Sequence, residues 1–134
     1  MGAWGYTNFE NDDAADFAAE FREMPTENLL LEAFILVIEA GENEEYIELP
    51  EAGAALAAAE IVAAALAKPA ADFPEDLQLS VIRLNSEAGV DRRKMARKAV
   101  KQILKESELQ ELWADSSELN QWQAVQQDLL ARLK

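Results

Sequence analysis

Carboxylates are the side chains in this sequence with the numbers and spacing to do chemistry. Of 134 residues, 26 are Asp or Glu and 12 are Lys or Arg, and there is neither histidine nor cysteine. Glu32, Glu39 and Glu60 interrupt otherwise apolar segments. Glu32 and Glu39 lie seven apart, on one stripe of a helix. With Glu60 facing them, they would offer three hard oxygen donors to Mg²⁺ or Mn²⁺. Near the N-terminus, Glu10, Asn11, Asp12, Asp13 and Asp16 form a second donor set, in which Asp12 and Asp16 share a helical face. Their spacing is not that of a Ca²⁺-binding EF-hand loop, which needs alternating acids, a central glycine and a final glutamate. The competing reading puts each glutamate at the wet edge of its helix, where a charge avoids the cost of burial. That reading is preferred, because the Glu-x-x-His pairs of di-iron bundles cannot occur in a chain without histidine.

Other chemistries are harder to assemble. Serine lacks its usual imidazole base, and no thiolate is available as nucleophile or ligand. No Gly-rich phosphate cradle is present. The Glu-x-x-Glu spacings at Glu42/Glu45 and Glu108/Glu111 are similar to those of all-α nucleotide pyrophosphohydrolases. Such pairs arise readily in so acidic a chain, and no second acidic motif accompanies them. The sequence argues against most enzymes and calls for no cofactor, and any enzymatic chemistry would need a carboxylate–metal mechanism.

Charge is unevenly distributed. Residues 1–89 carry 19 acids and 3 bases, residues 90–105 carry 1 acid and 7 bases, and residues 106–134 carry 6 acids and 2 bases, for a net charge of −14. An acidic body repels nucleic acid and anionic membrane, so neither is an expected partner. Within the basic segment, Lys94, Lys98, Lys101 and Lys105 fall on one helical stripe, preceded by Arg92 and Arg93. The stripe either neutralises neighbouring acidic helices or forms a contact, for an acidic partner or a second copy of the chain.

The elements that must position these groups are helical. Apolar residues recur at the α-helical period and no strand-like alternation survives inspection. The first helix is predicted from Asn11 or Asp12, with Ala14, Phe17, Ala18 and Phe21 inward and Pro25 closing it. A second, apolar nearly all round and therefore central, starts at Thr26 and stops at Gly41. Pro50 opens an alanine-rich third helix in the middle of the bundle, and Lys68-Pro69 ends it. Pro74 opens a short fourth helix with Leu77, Val81, Ile82 and Leu84 inward. Asp91 caps the basic helix, whose inner face is Met95, Ala99, Val100 and Ile103. Helices at Ser107–Trp113 and beyond an Asp115/Glu118 capping box complete the chain, the last burying Leu119, Trp122, Val125, Leu129 and Leu133. The expected fold is a single all-α domain over residues 1–134, a compact bundle of about six helices with an N-terminal aromatic and glycine loop packed on it. The apolar stretch Leu49–Leu66 contains Glu51 and Glu60 and reads as a buried helix rather than a membrane span. The first residues lack a signal peptide's basic and apolar regions. Without cysteine, the cytosol is the natural compartment.

The opening, MGAWGYTNFENDDAADF, reads as a clasp. Trp4 and Phe9 plug one end of the bundle while Asn11 and Asp12 cap the first helix. This opening resembles the start of a family of small uncharacterised bacterial proteins that begin Met-Gly-x-Trp-Gly, then Phe-Glu/Asp-Asn-Asp and an alanine-rich helix. LPEAGAALAAAEIVAAAL and the ending SELQELW…W…DLLARL are similar to the same family, a domain of unknown function. The resemblance implies a cytoplasmic bacterial protein and brings no catalytic residues. The expected function is an acidic protein-binding module that recruits a basic partner, an immunity or antitoxin-like protein in its most specific form. A carboxylate-dependent metal enzyme and a self-associating structural protein are the alternatives.

Overall fold

The computed structural model describes residues 5–84 and 92–134. Its described residues form seven helices and no strand: α1 (Asp12–Glu23), α2 (Glu27–Glu42), α3 (Leu49–Ala65), α4 (Glu75–Ile82), α5 (Arg92–Lys105), α6 (Glu108–Ala114) and α7 (Leu119–Arg132). The all-α fold is as expected, with one helix more than the rounded count.

Local chemistry sets most boundaries. Asn11 caps α1 by accepting the Ala14 amide at 2.8 Å, Thr26 accepts the Leu29 amide at 3.3 Å, and Ser107 accepts the Gln110 amide at 3.0 Å. Each satisfies an amide that the first turn leaves without a carbonyl. Gly41 does not stop α2, which runs to Glu42. The stop comes at Glu44, in the left-handed region at φ 57°, where the amides of Glu44 and Glu45 return to the carbonyls of Gly41 and Ala40. Ala67, at φ 65°, ends α3 in the same way, before Pro69. These are Schellman turns built without glycine. The Asp115/Glu118 capping box does not form. Asp115 ends α6, and the Ser116 hydroxyl accepts the Glu118 amide at 3.0 Å.

The hub is α3. Ten of its residues are alanine or glycine, so neighbours approach on every side, and it packs against α1, α2, α4, α5, α6 and α7. Eleven of its residues, Ala52 to Ala63 with the exception of Ala54, are buried. By contrast, α2 is peripheral. It buries Leu30, Ala33, Phe34 and Val37, but Ile35 and Leu36 face solvent, Leu36 being 59% exposed. The expectation of a central second helix fails because a bundle this small needs one all-round buried helix, and the small side chains of α3 fit that position better. In α4, Leu77 is buried while Ile82 is 79% exposed, against its expected inward placement. The expected inner faces of α1 and α7 are found. Ala14, Phe17, Ala18 and Phe21 are buried in α1, and Trp122, Leu129 and Leu133 are buried on the last helix and its C-cap, with Leu119 partly buried against the core. Val125, also expected inward, is instead only half-buried and lines an open cavity.

Close approach explains Gly53. A methyl there would sit 2.9 Å from the Asp13 Cβ and 3.1 Å from the Asn11 Oδ1 that caps α1. In an exposed helix, alanine would stabilise by about 1 kcal/mol over glycine. Here the methyl meets atoms close to the backbone of α1, and overpacking of this kind costs about 1–3 kcal/mol. Gly53→Ala is expected to lower the urea midpoint followed by circular dichroism. A raised midpoint would mean that α1 shifts aside freely.

Candidate functional site

Among the buried residues of α3, one carries a charge: Glu60, which is 1% exposed. It is the exception to the wet-edge expectation, and its burial is explained by partners from distant parts of the chain. Arg132, at the end of α7, donates from Nη1 to Glu60 Oε1 at 2.9 Å and from Nη2 to Oε2 at 3.3 Å. Asn8 donates from Nδ2 to Glu60 Oε2 at 2.8 Å. Asn8 and Gln126 exchange a reciprocal amide pair, with Gln126 Nε2 donating to Asn8 Oδ1 at 2.7 Å and Asn8 Nδ2 donating to Gln126 Oε1 at 3.1 Å. Arg132 also donates to Asp128 Oδ2 at 2.8 Å and to the Lys68 carbonyl at 3.1 Å. A buried carboxylate with this bidentate guanidinium and an amide donor has its charge and lone pairs answered, which is the condition for tolerating burial. Burial disfavours the Arg132 charge, but the hydrogen bonds and charges of Glu60 and Asp128 outweigh it and hold the guanidinium above its ordinary value.

The N-terminal segment delivers Asn8 through a tight turn. The Gly5 amide donates to the Glu10 carbonyl at 3.3 Å, the Glu10 amide to the Thr7 carbonyl at 3.2 Å, and the Thr7 hydroxyl to Glu10 Oε1 at 2.6 Å. Beside it, Phe9 packs edge-on against Phe73, with ring centroids 5.5 Å apart at 83°. Above the polar cluster lies an open cavity of about 410 Å³. Tyr6, Thr7 and Asn8 line one side, the Ala70–Asp72 connection another, and Gln121, Ala124, Val125, Asp128 and Arg132 of α7 a third, with Glu60 at the floor. This is the size of a small-ligand site. Arg132 holds Glu60 in place at the floor of this cavity.

The other expected site residues are scattered. Glu32 and Glu39 are exposed on α2, apart from the buried Glu60, and Asp12 and Asp16 are exposed on α1. Among the described residues no group of three or more His, Cys, Asp or Glu side chains is placed to hold a metal ion. Asp13, between Asp12 and Asp16, is pushed above its ordinary value by burial and then by the charges of Asp16 and Asp12. Trp4 and Asp91 lie outside the described residues. Of the basic helix, Arg93, Lys94, Lys98, Lys101 and Lys105 are exposed. Arg92 approaches the buried Glu27 at 3.8 Å, and Lys98 approaches Glu42 at 3.8 Å. Arg92 and Lys98 therefore offset acids of α2 within the chain, while Lys101 and Lys105 are exposed at the other end of the helix.

The Glu108/Glu111 pair has a structural use. Glu108 Oε1 accepts the Leu49 amide at 2.7 Å, capping α3 from another helix, and Tyr46 donates its hydroxyl to Glu111 Oε1 at 2.7 Å. That hydrogen bond, with smaller contributions from burial and neighbouring glutamates, pushes the Tyr46 phenol up to about 12 from 10.0. The neutral phenol is the donor, so the bond's contribution is complete below pH 10 and is lost as pH rises through 12. Thermal stability is expected to fall more steeply across this window in the native chain than in Tyr46→Phe. Parallel melting curves for the two would count against the bond.

No curated protein and no solved structure matches the chain. No described helix is long and apolar enough to cross a membrane. A family profile for a domain of unknown function, DUF4259, matches residues 2–125, and the chain belongs to that family.

Proposed function

We propose that this chain is a non-enzymatic protein-binding module of the bacterial cytoplasm whose acidic exterior recruits a basic protein partner. An immunity or antitoxin-like role is the most specific form of this reading. The observation that supports it best is the placement of the acids. Of the described carboxylates, Glu27 and Glu60 are buried, and the rest face outward or sit at the surface edge. Along α1, Asp12, Asp16, Glu20 and Glu23 are all exposed on one stripe, and Glu42, Glu44, Glu45 and Glu48 are exposed in and after the last turn of α2. A net charge of −14 spread in this way accelerates encounter with a cationic surface and makes binding salt-sensitive. Immobilised protein is expected to retain a basic protein from bacterial lysate at low salt, in a saturable ratio, and to release it as salt rises. An empty eluate at low salt would remove the reading.

The exposed Lys94, Lys98, Lys101 and Lys105 stripe favours a second reading, self-association of a basic helix with the acidic body of another copy. Light scattering should then give a mass that falls toward that of one chain as salt rises. A single-chain mass at low salt would discard it.

A further inference from the structure

Resting on the acidic-module reading, we propose that the cavity floored by Glu60 seats an arginine side chain of the basic partner. The charged groups that remain open in it are carboxylates, which only accept. Arg132 is engaged through Nε, Nη1 and Nη2 with Asp128, Glu60 and the Lys68 carbonyl, so its charge is already offset. Asp72 is exposed in the cavity wall and makes no hydrogen bond or ion pair among the described residues. Asp128 binds Arg132 through Oδ2, leaving Oδ1 open. The lining holds three carboxylates and one guanidinium, a net negative charge facing an opening rich in lone pairs. Such a site repels anions and rewards a ligand that is cationic and donates several hydrogen bonds.

Arginine fits this description better than lysine. Asp72 and Asp128 come from two different elements, and a planar fork with five N–H groups can address two carboxylates at once. Guanidinium is also more weakly hydrated than ammonium and is more easily withdrawn from water. Ala70, Ala71, Ala124 and Val125 give the side chain's methylene stem an apolar wall, and Tyr6 supplies an aromatic ring at the rim. The polar floor is held by side chains that are nearly inaccessible, Asn8 at 4%, Glu60 at 1% and Gln126 at 0%, so the cavity is pre-formed and does not need ordering by its ligand.

The test titrates the full chain, ¹⁵N-labelled, with N-acetyl-arginine amide. N-acetyl-citrulline amide serves as the neutral isostere, N-acetyl-lysine amide as the point-charge control, and agmatine as a free small cation. Arginine amide is expected to give saturable amide shifts at Tyr6, Asn8, Asp72 and Ala124, with a dissociation constant of about millimolar order, citrulline none, and lysine weaker binding. Asp72→Asn breaks no internal contact, and Ala124→Leu fills the cavity from an exposed position. Each is expected to weaken arginine amide by about tenfold without changing the melting temperature, and to weaken capture of the basic partner. Equal shifts with citrulline, or unchanged binding in Ala124→Leu, would overturn the site. Agmatine binding far more tightly than arginine amide would overturn the assignment to a partner's side chain in favour of a free organic cation. If both variants capture the basic partner as the native chain does, the cavity proposal falls and the acidic module stands. If the native chain captures nothing, the module reading falls as well.

Discussion

Replacing Arg132 with methionine is expected to destabilise the protein by about 3 kcal/mol, the low end of the range for breaking a buried ion pair. Methionine keeps much of the packing volume but withdraws every donor that Arg132 gives to Glu60. The carboxylate is then left at 2% side-chain exposure with the single amide donor of Asn8. The low end applies because Arg132 retains 15% of its side-chain surface, so water can reach part of the vacated site. Adding Glu60→Leu to Arg132→Met removes the stranded charge and is expected to recover much of the loss, since an apolar pair of similar size often matches a buried ion pair. Urea unfolding of the four members of this cycle measures the coupling. If the double variant is as unstable as the sum of the singles, Glu60 and Arg132 do not depend on one another, and the account of the buried charge is wrong.

The same partners account for the difference between the sequence expectation for Glu60 and its place in the fold. Periodicity reads a glutamate in an alanine-rich helix as marking the solvent side, because an isolated buried charge is costly. The cost is answered here by Asn8, 52 residues earlier, and by Arg132, 72 residues later, while Asn8 and Gln126 meet across 118. Nothing within a helical turn of Glu60 signals these partners. The one local trace was Asp128 and Arg132, four apart on the last helix, a spacing that holds the guanidinium in place. Features whose cause lies within a few residues were legible. The cap at Asn11, the helix starts at Thr26 and Ser107, the inner face of α1 and most of the α7 stripe all follow from short-range chemistry. The apolar content of α2 misled for the opposite reason. Which helix becomes the hub depends on side-chain size against all its neighbours, a property of the whole bundle, and the alanines of α3 fit that position. The cavity was equally hidden, being assembled from a turn, a connection and a helix that meet only on folding.

Trp122→Ala is expected to produce a loss of similar or larger size, about 3–5 kcal/mol, for a different physical reason. Trp122 is the largest fully buried side chain among the described residues, at 1% exposure, and sits on α7, which packs against α3, α5 and α6. Removing the indole forfeits its burial and leaves a void that helices pinned by short connections cannot close completely. The void lies on the same helix as Gln126 and Arg132, so loosening α7 should also weaken the hold on Asn8 and on the cavity floor. Two readouts therefore belong together. Urea unfolding should show the loss of stability, and native-state amide exchange should show Asn8 and its neighbours opening before α1 and α2. Trp122→Phe, which keeps an aromatic ring in the site, should lose markedly less on both measures. A loss below about 1 kcal/mol for the alanine variant would mean that α7 is not anchored by this residue. The polar contacts of Glu60 would then have to hold the helix by themselves, which buried ion pairs do poorly.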